Sequence, residues 1–219
     1  MNRRQLVYIL LTGIFVTNAV LAELIGGKLI QVGPFTMSIG VIPWPVVFLT
    51  TDLINEYFGI PGVRRVTMMT LGLIAYTFVI LYLAMIVPAA GFSPVTDEQF
   101  ASVFGQSMWI IVGSMVAFAI SQLIDVMVFW SFRHRTQGRK LWLRATGSTV
   151  VSQLVDSVVI IGIAFWLPGK IKTVEFFNLA AANYSYKLLI AIALTPLIYL
   201  AHHLIDRFIG IKENEPHAV

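Results

Sequence analysis

The chain has 219 residues, of which 58% are hydrophobic and only 12% are charged. Soluble globular domains carry about 25% charged residues, so this composition indicates an integral membrane protein. The absence of cysteine excludes disulfides, iron–sulfur clusters and thiolate zinc sites. The formal charge of +4 comes from basic residues in short connections between apolar segments. We interpret it as a topology signal and not as a sign of nucleic-acid binding.

Six apolar stretches are long enough to cross a bilayer, which takes about 20 residues. They cover residues 6–28, 36–55, 66–88, 107–132, 146–167 and 184–206. Most of the 15 basic residues fall on one side of this arrangement: Arg3, Arg4, Arg64, Arg65, a cluster at 133–144, Arg207 and Lys212. Lys28, Lys170, Lys172 and Lys187 fall on or near the other side. Because cytoplasmic loops are enriched in Lys and Arg, both termini are expected in the cytoplasm. Residues 1–219 are expected to form a single transmembrane domain.

The first stretch carries two polar residues, Asn18 and Glu23. Its basic start and Ala22 resemble a cleavable signal peptide, but the apolar run continues to Ile30, which favours a first transmembrane helix. Glu23 is expected in the outer half of the bilayer. A carboxylate at that depth needs a partner inside the bundle or a ligand, so Glu23 is a candidate site residue.

The second stretch contains Pro43-Trp44-Pro45, which is expected to interrupt a helix. Broken helices occur in membranes where they are buried in protein or line a cavity. Further along, Asp52, Asn55 and Glu56 share one helix face by their i, i+3, i+4 spacing. Asp52 and Glu56 are candidates for an inner gate or for proton handling. For Glu56 the alternative is a solvated position at the cytoplasmic mouth, facing the arginines at 64 and 65.

A hydrophilic connection after the third stretch predicts a short external helix. Thr96 and Gln99 have the spacing of a capping box, in which each side chain accepts from the backbone N–H of the other residue. Gly105 is suited to the end of that helix. We expect this segment to have a structural role only.

The fourth and fifth stretches contain the same pentad twice, on consecutive helices of opposite direction. The copies are Ser121-Gln122-Leu123-Ile124-Asp125 and Ser152-Gln153-Leu154-Val155-Asp156. Residues three and four apart share a helix face, so each copy directs a hydroxyl, an amide and a carboxylate one way. Both copies lie about 10–16 Å inside the membrane at 1.5 Å per residue. They are therefore expected to meet near the midplane, where inverted-repeat transporters hold substrate. The alternative is that they only hold helices together by hydrogen bonds, which does not require carboxylates.

Such a cavity suits a small, flat, polar heterocycle. Glutamine presents a donor and an acceptor side by side, and a carboxylate accepts two N–H groups, which matches the edge of a guanine-like base. Aromatic side chains that can stack on such a ring are Trp44, Phe48, Trp130 and Tyr184. In the sixth stretch, Lys187 either extends outward to the interface or neutralises Asp156 or Glu23.

The chain offers little for enzyme chemistry. It contains no Walker A loop, dinucleotide fingerprint or HExxH motif, and no nucleophile in a recognisable context. His202 and His203 are adjacent and so point to different helix faces, which argues against a metal site. We therefore predict a protein that is not an enzyme and needs no cofactor.

Several of these motifs together resemble the queuosine-precursor transporter family, also described as vitamin-uptake-type transporters. The resemblance covers nearly the whole chain and rests on these segments: Thr51-Asp52-Leu53-x-Asn55-Glu56-Tyr57-Phe58-Gly59 with Arg64-Arg65, Ser121-Gln122-x-x-Asp125, Leu141-Trp142-Leu143-Arg144, Ser152-Gln153-x-x-Asp156-Ser157, and Lys187 with Pro196 and Tyr199. It implies an all-α bundle of six transmembrane helices, similar to the substrate-binding subunits of energy-coupling-factor transporters. It also implies uptake of 7-cyano- or 7-aminomethyl-7-deazaguanine, or queuine, across the bacterial cytoplasmic (inner) membrane for tRNA modification.

The resemblance assigns roles to individual residues. Positions that match its motifs are Asp52, Asn55, Glu56, Gln122, Asp125, Gln153, Asp156 and Lys187; Asn18 matches more weakly, and Glu23 belongs to no motif. We expect the two glutamines to bind the heterocycle's edge and the two pentad aspartates to accept its N–H groups or an aminomethyl cation. The partners expected are this small molecule and the lipid bilayer. The oligomeric state is open, with a homodimer as one alternative. Two other functions also remain open: a vitamin-binding subunit that works with an ATPase module, and a helical membrane scaffold.

Overall fold

The computed structural model of the chain describes residues 2–26, 28–33, 35–105, 108–136 and 141–210. Of the basic residues used in the predictions above, Lys212 and the part of the 133–144 cluster at residues 137–140 lie outside these ranges. The described chain is almost entirely helical. Its α-helices are α1 (Arg3–Ile25), α2 (Trp44–Ile86), α3 (Asp97–Phe104), α4 (Met108–Arg135), α5 (Leu141–Ile161) and α6 (Thr173–Ile209).

A β-hairpin separates the first two helices. Strands β1 (Leu29–Val32) and β2 (Phe35–Ser38) pair antiparallel, and a 3₁₀ turn at Ile39–Val41 follows them. The prediction of a helix from residue 36 is therefore wrong for its first part. The prediction that the two prolines interrupt a helix is also wrong, because α2 begins between them, with Pro43 as its cap. A proline in the first helical turn costs nothing, since its missing N–H would have no partner there.

Helix α2 is broken at one residue. Gly59 has φ 65° and ψ −168°, a backbone region that is essentially restricted to glycine. The chain turns sharply there: a Cβ added at Gly62 would lie 3.5 Å from the Ile54 Cγ2 atom, whereas residues eight apart in a straight helix are separated by about 12 Å. The connection between the predicted stretches 36–55 and 66–88 is thus helical on both sides of a single break.

The outer surface of this structure is apolar and its interior contains polar groups, unlike that of a soluble protein. Large apolar side chains are exposed along the helices, such as Met68 at 63% and Met127 at 66%, while carboxylates and amides are buried inside the bundle. Within the described ranges, five helical stretches are long and apolar enough to cross a membrane. They lie in α1, α2, α4, α6 and in α5 with its π-helical extension (Gly162–Trp166). The chain is therefore a multi-pass membrane protein.

The hairpin of α4 and α5 is closely packed near its connection. A Cβ added at Gly147 would lie 2.8 Å from the Phe132 ring, so the ring of α4 packs directly on the backbone of α5 at this glycine. Small residues at such contacts are the usual means by which membrane helices pack against each other.

Two further helices test the sequence predictions. Helix α3 has the predicted capping box, with the Thr96 and Gln99 side chains each accepting from the other's backbone N–H, and Gly105 follows its last residue. That prediction is confirmed. Helix α6 starts at Thr173, well before the predicted residue 184, because the polar first turn is not part of the apolar stretch from which the span was predicted.

Candidate functional site

The two pentads meet and exchange hydrogen bonds. Ser121 donates to Asp156 over 3.3 Å, and Ser152 donates to Asp125 over 3.0 Å. Each serine thus donates to the aspartate of the other copy, so the same contact occurs twice with the roles of α4 and α5 exchanged. All four side chains are buried. The prediction that the motifs face each other across α4 and α5 is confirmed.

The two aspartates differ in their charge partners. Lys187 of α6 forms a buried ion pair and hydrogen bond with Asp156, which is one of the alternatives predicted for this lysine. Among the described residues, no basic side chain pairs with Asp125, and its Oδ2 atom is buried without a hydrogen-bond partner. A buried carboxylate oxygen in that state is costly unless a proton, a donor or a ligand reaches it.

Gln122 supplies a second unpartnered acceptor. Its Nε2 donates to Thr51 Oγ1 over 3.2 Å. The Thr51 hydroxyl donates its only proton to the Val47 carbonyl at 2.8 Å. Thr51 must therefore accept from the glutamine, which fixes the orientation of the amide. The opposite end of that amide, Oε1, is buried with no donor among the described residues. Gln153 Oε1 is in the same state.

These acceptors line one cavity, which we call the pentad cavity. Its lining residues are Phe48, Thr51, Ser121, Gln122, Asp125, Thr149, Ser152 and Gln153. Native interiors leave few buried polar atoms unsatisfied, yet three acceptor oxygens occur here together. The cavity is thus chemically suited to a molecule that presents several N–H donors on one edge.

Two other predicted site residues, Glu23 and Trp44, lie near the pentad cavity without lining it. Glu23 of α1 is buried and accepts a hydrogen bond from Ser114 of α4 over 2.8 Å, so it has the bundle-facing partner that the sequence predicts. Trp44 stacks on Phe48 with ring centroids 5.8 Å apart. Asn18 does not join the group, because its amide donates to the Ile14 carbonyl of its own helix.

Asp52 lines a second cavity, on the α6 side of the pentad cavity. It lies between α2, α5 and α6. Its lining residues are Phe48, Leu49, Asp52, Thr146, Thr149, Ala191, Leu194, Thr195 and Ile198. Phe48 and Thr149 line both cavities, so the two spaces adjoin each other.

The remaining predicted residues, Asn55 and Glu56, lie next to the break in α2. Trp130 donates to Asn55 Oδ1 over 2.8 Å. The Arg133 guanidinium lies 3.8 Å from the Glu56 carboxylate and donates to the Glu56 backbone carbonyl at 3.3 Å. With 2% of its surface exposed, Glu56 is not solvated, so the alternative of a position facing solvent beside the arginines at 64 and 65 is wrong.

The sequence did not predict a second set of contacts near this break, which is centred on Tyr57. Tyr57 donates to Asp206 over 2.7 Å, and Asp206 also contacts His202 at 3.0 Å. Arg4 donates to the Tyr57 carbonyl over 2.6 Å. A broken helix in a membrane needs its freed carbonyls satisfied by neighbours, and these contacts do so. No local sequence signal joins Tyr57 to residues on α1 and α6.

A bundle of apolar helices around a buried polar cavity is the architecture of a membrane transporter. A family model described as "Putative vitamin uptake transporter" matches residues 38–201. The chain belongs to this family, in which the queuosine precursor transporters are found. It is a family of transporters and not of enzymes.

Curated relatives support the same assignment. A "Probable queuosine precursor transporter" of Bacillus subtilis (strain 168) is 29% identical over 180 residues, which cover 81% of this chain and 77% of that protein. The "Queuosine precursor transporter" of Escherichia coli (strain K12) is 30% identical over 174 residues, covering 72% and 69%. A Haemophilus influenzae relative is 28% identical over 167 residues. No solved structure matches the chain.

Proposed function

We propose that this chain imports a queuosine precursor, a 7-deazaguanine, across the bacterial cytoplasmic membrane for tRNA modification. One observation carries the proposal most directly: Gln122, Gln153 and Asp125 each bury an acceptor oxygen without a donor in one cavity. The guanine-like edge of a 7-deazaguanine donates through its ring N–H and its exocyclic amine, which are the groups that these acceptors lack. The names of the curated relatives support the same substrate class.

Within this function the two pentad aspartates have different roles. Asp125 accepts N–H groups of the ligand, because its Oδ2 atom is buried without a hydrogen-bond partner. Asp156 is neutralised by Lys187 and accepts a hydrogen bond from Ser121. It therefore helps to position the cavity wall, while the pair that it forms with Lys187 adds no net charge to the cavity. The sequence assigned both aspartates the same role, and we propose that only one of them binds the ligand directly.

The sharp turn at Gly59 supports a count of six membrane crossings with both termini in the cytoplasm. Helix α2 has 43 residues, of which 15 precede Gly59 and 27 follow it. The later part, about 40 Å long at 1.5 Å per residue, is sufficient for one crossing. We propose that the earlier part, about 22 Å long, covers most of a crossing in the opposite direction, giving a bundle similar to the substrate-binding subunits of energy-coupling-factor transporters. We place the inner gate at this turn, where Glu56 and Tyr57 are held by Arg133 and Asp206.

Uptake in cells tests the proposal. A bacterial strain that lacks its own importer is supplied with a radiolabelled 7-deazaguanine and expresses either the parent chain or a variant. Gln153→Ala and Asp125→Asn are expected to abolish accumulation. Leu154→Ala is the matched control, because this neighbour of Gln153 is 47% exposed on the outer face of the same helix. Full uptake by both site variants at equal expression would contradict the site assignment.

An alternative follows from the family's description as vitamin uptake transporters. In it, the chain is a substrate-binding subunit that transports a vitamin only with an ATPase module. Purification from its native membrane separates the two functions. A partner-free chain that transports deazaguanine in liposomes supports the importer, whereas a co-purifying ATPase on which transport depends supports the subunit.

A further inference from the structure

The pentad cavity is lined by residues of α2, α4 and α5. Its unpartnered acceptors, on Gln122, Asp125 and Gln153, belong to α4 and α5. A flat heterocycle bound to them by one edge directs its opposite edge toward the α2 wall, which Phe48 and Thr51 form.

The second cavity begins on that opposite side. Phe48 and Thr149 line both spaces, and Phe48 is itself only partly buried, with its ring stacked on Trp44. The Phe48 side chain therefore lies at the boundary between the two spaces, where a ring bound in the pentad cavity meets the entrance of the second.

The chemistry of the second cavity differs from that of the first. Beyond the shared residues, its walls on α6 are mostly apolar: Ala191, Leu194 and Ile198. Two threonine hydroxyls, of Thr146 and Thr195, lie 3.3 Å apart on facing helices α5 and α6. The Asp52 carboxylate of α2 also lines this space. A largely apolar space with two hydroxyls and one carboxylate fits an aliphatic group that carries hydroxyl or amino groups.

We propose that the second cavity is the substituent subsite, which accepts the group attached to the heterocycle's five-membered ring and selects between carried precursors. This inference rests on the proposed function and adds a determinant of specificity to it. Phe48 forms the flat wall at the junction, against which the ring packs. Residues of α6, above all Ala191 and Leu194, set how large a substituent is accepted.

The test compares two ligands on purified full-length protein: 7-deazaguanine without a substituent, and queuine, which carries a bulky one. Ala191→Phe fills the subsite. Overpacking costs about 1–3 kcal/mol, so queuine affinity is expected to fall about tenfold or more. Affinity for the unsubstituted ring is expected to stay within about twofold, because its contacts are in the other cavity.

Ala193→Phe is the matched control. This alanine lies two residues further on the same helix, on its exposed face, and the exchange is expected to leave both affinities unchanged. Leu194→Phe adds less volume and is also expected to weaken queuine binding more than binding of the unsubstituted ring. It replaces Ala191→Phe in the test if that variant does not fold. An equal effect of the subsite variants on both ligands, or none on either, overturns the subsite. A parent chain that binds neither these two ligands nor 7-cyano- or 7-aminomethyl-7-deazaguanine overturns the proposed function instead.

Discussion

Removing Lys187 is expected to destabilise the protein strongly. Its ammonium group pairs with Asp156 inside the bundle, where the two side chains are only 10% and 12% exposed. Breaking a buried ion pair by deleting one partner costs about 3–5 kcal/mol, because the other charge stays buried alone. Lys187→Met also leaves Asp156 without a cation close to Glu23, a second buried carboxylate that interacts electrostatically with both members of the pair.

Removing both charges together should be far less harmful. The double variant Lys187→Met/Asp156→Leu buries apolar groups in place of ions, which is often neutral or stabilising. Ser121 loses the Asp156 acceptor in the exchange but keeps the Phe118 carbonyl at 3.1 Å, so the added cost is below about 1 kcal/mol. We therefore expect Lys187→Met to lower the melting temperature by about 6–20 °C, and the double variant to recover most of that loss.

A double-mutant cycle followed by thermal unfolding in one detergent provides the measurement. The two single variants and the double variant are compared with the parent chain at equal concentration. A coupling free energy of several kcal/mol is expected from the buried pair. Melting-temperature shifts that simply add would refute the reasoning, since they would show that Lys187 and Asp156 act independently.

Three further predictions concern the cavity and the break in α2. Gln122→Leu removes an acceptor that is available to the ligand, and it should weaken 7-deazaguanine binding about tenfold in calorimetry. Its control, Leu123→Ala on the exposed side, should leave binding unchanged, and equal effects of the two variants would contradict the site. Gly59→Ala forces a non-glycine residue to φ 65°, so it should lower the free energy of unfolding, measured by thermal unfolding, by about 1–3 kcal/mol. Its control, Gly72→Ala, lies in a regular and open part of the same helix and should be neutral or stabilising. Arg133→Gln removes the contacts to Glu56 at the proposed gate, and it should lower the uptake rate while leaving ligand affinity in detergent unchanged; a loss of affinity would place Arg133 in the binding site.

The pentads show what the sequence could predict. Their helical spacing, their opposite directions and their matching depth were enough to predict that the two copies meet, although not that each serine bonds to the aspartate of the other copy. Periodicity could not predict which aspartate is neutralised, because that depends on where α6 lies. The sequence therefore left Lys187 three alternatives, and the packing of α6 against α5 selected Asp156.

The region around Gly59 shows where sequence reasoning failed. A run of apolar residues gives no sign of a single positive φ angle, so the break appeared in the sequence as a long loop. The contacts of Tyr57 with Asp206 and of Arg4 with Tyr57 join residues more than fifty positions apart. The prolines at 43 and 45 were misread for a related reason: proline is unfavourable inside a helix but favourable at its start, and only the structure shows which position applies.

The most direct test of the central claim is the thermal stabilisation of the purified protein by a panel of ligands. The panel contains 7-cyano- and 7-aminomethyl-7-deazaguanine, queuine, guanine, riboflavin and biotin. A ligand present at about 100 times its dissociation constant adds about 2.7 kcal/mol of stability, which is readily seen as a higher melting temperature. We predict a shift with at least one deazaguanine, its loss in Asp125→Asn, and no shift with either vitamin. Stabilisation by riboflavin or biotin alone, or by no ligand at all, would contradict the account.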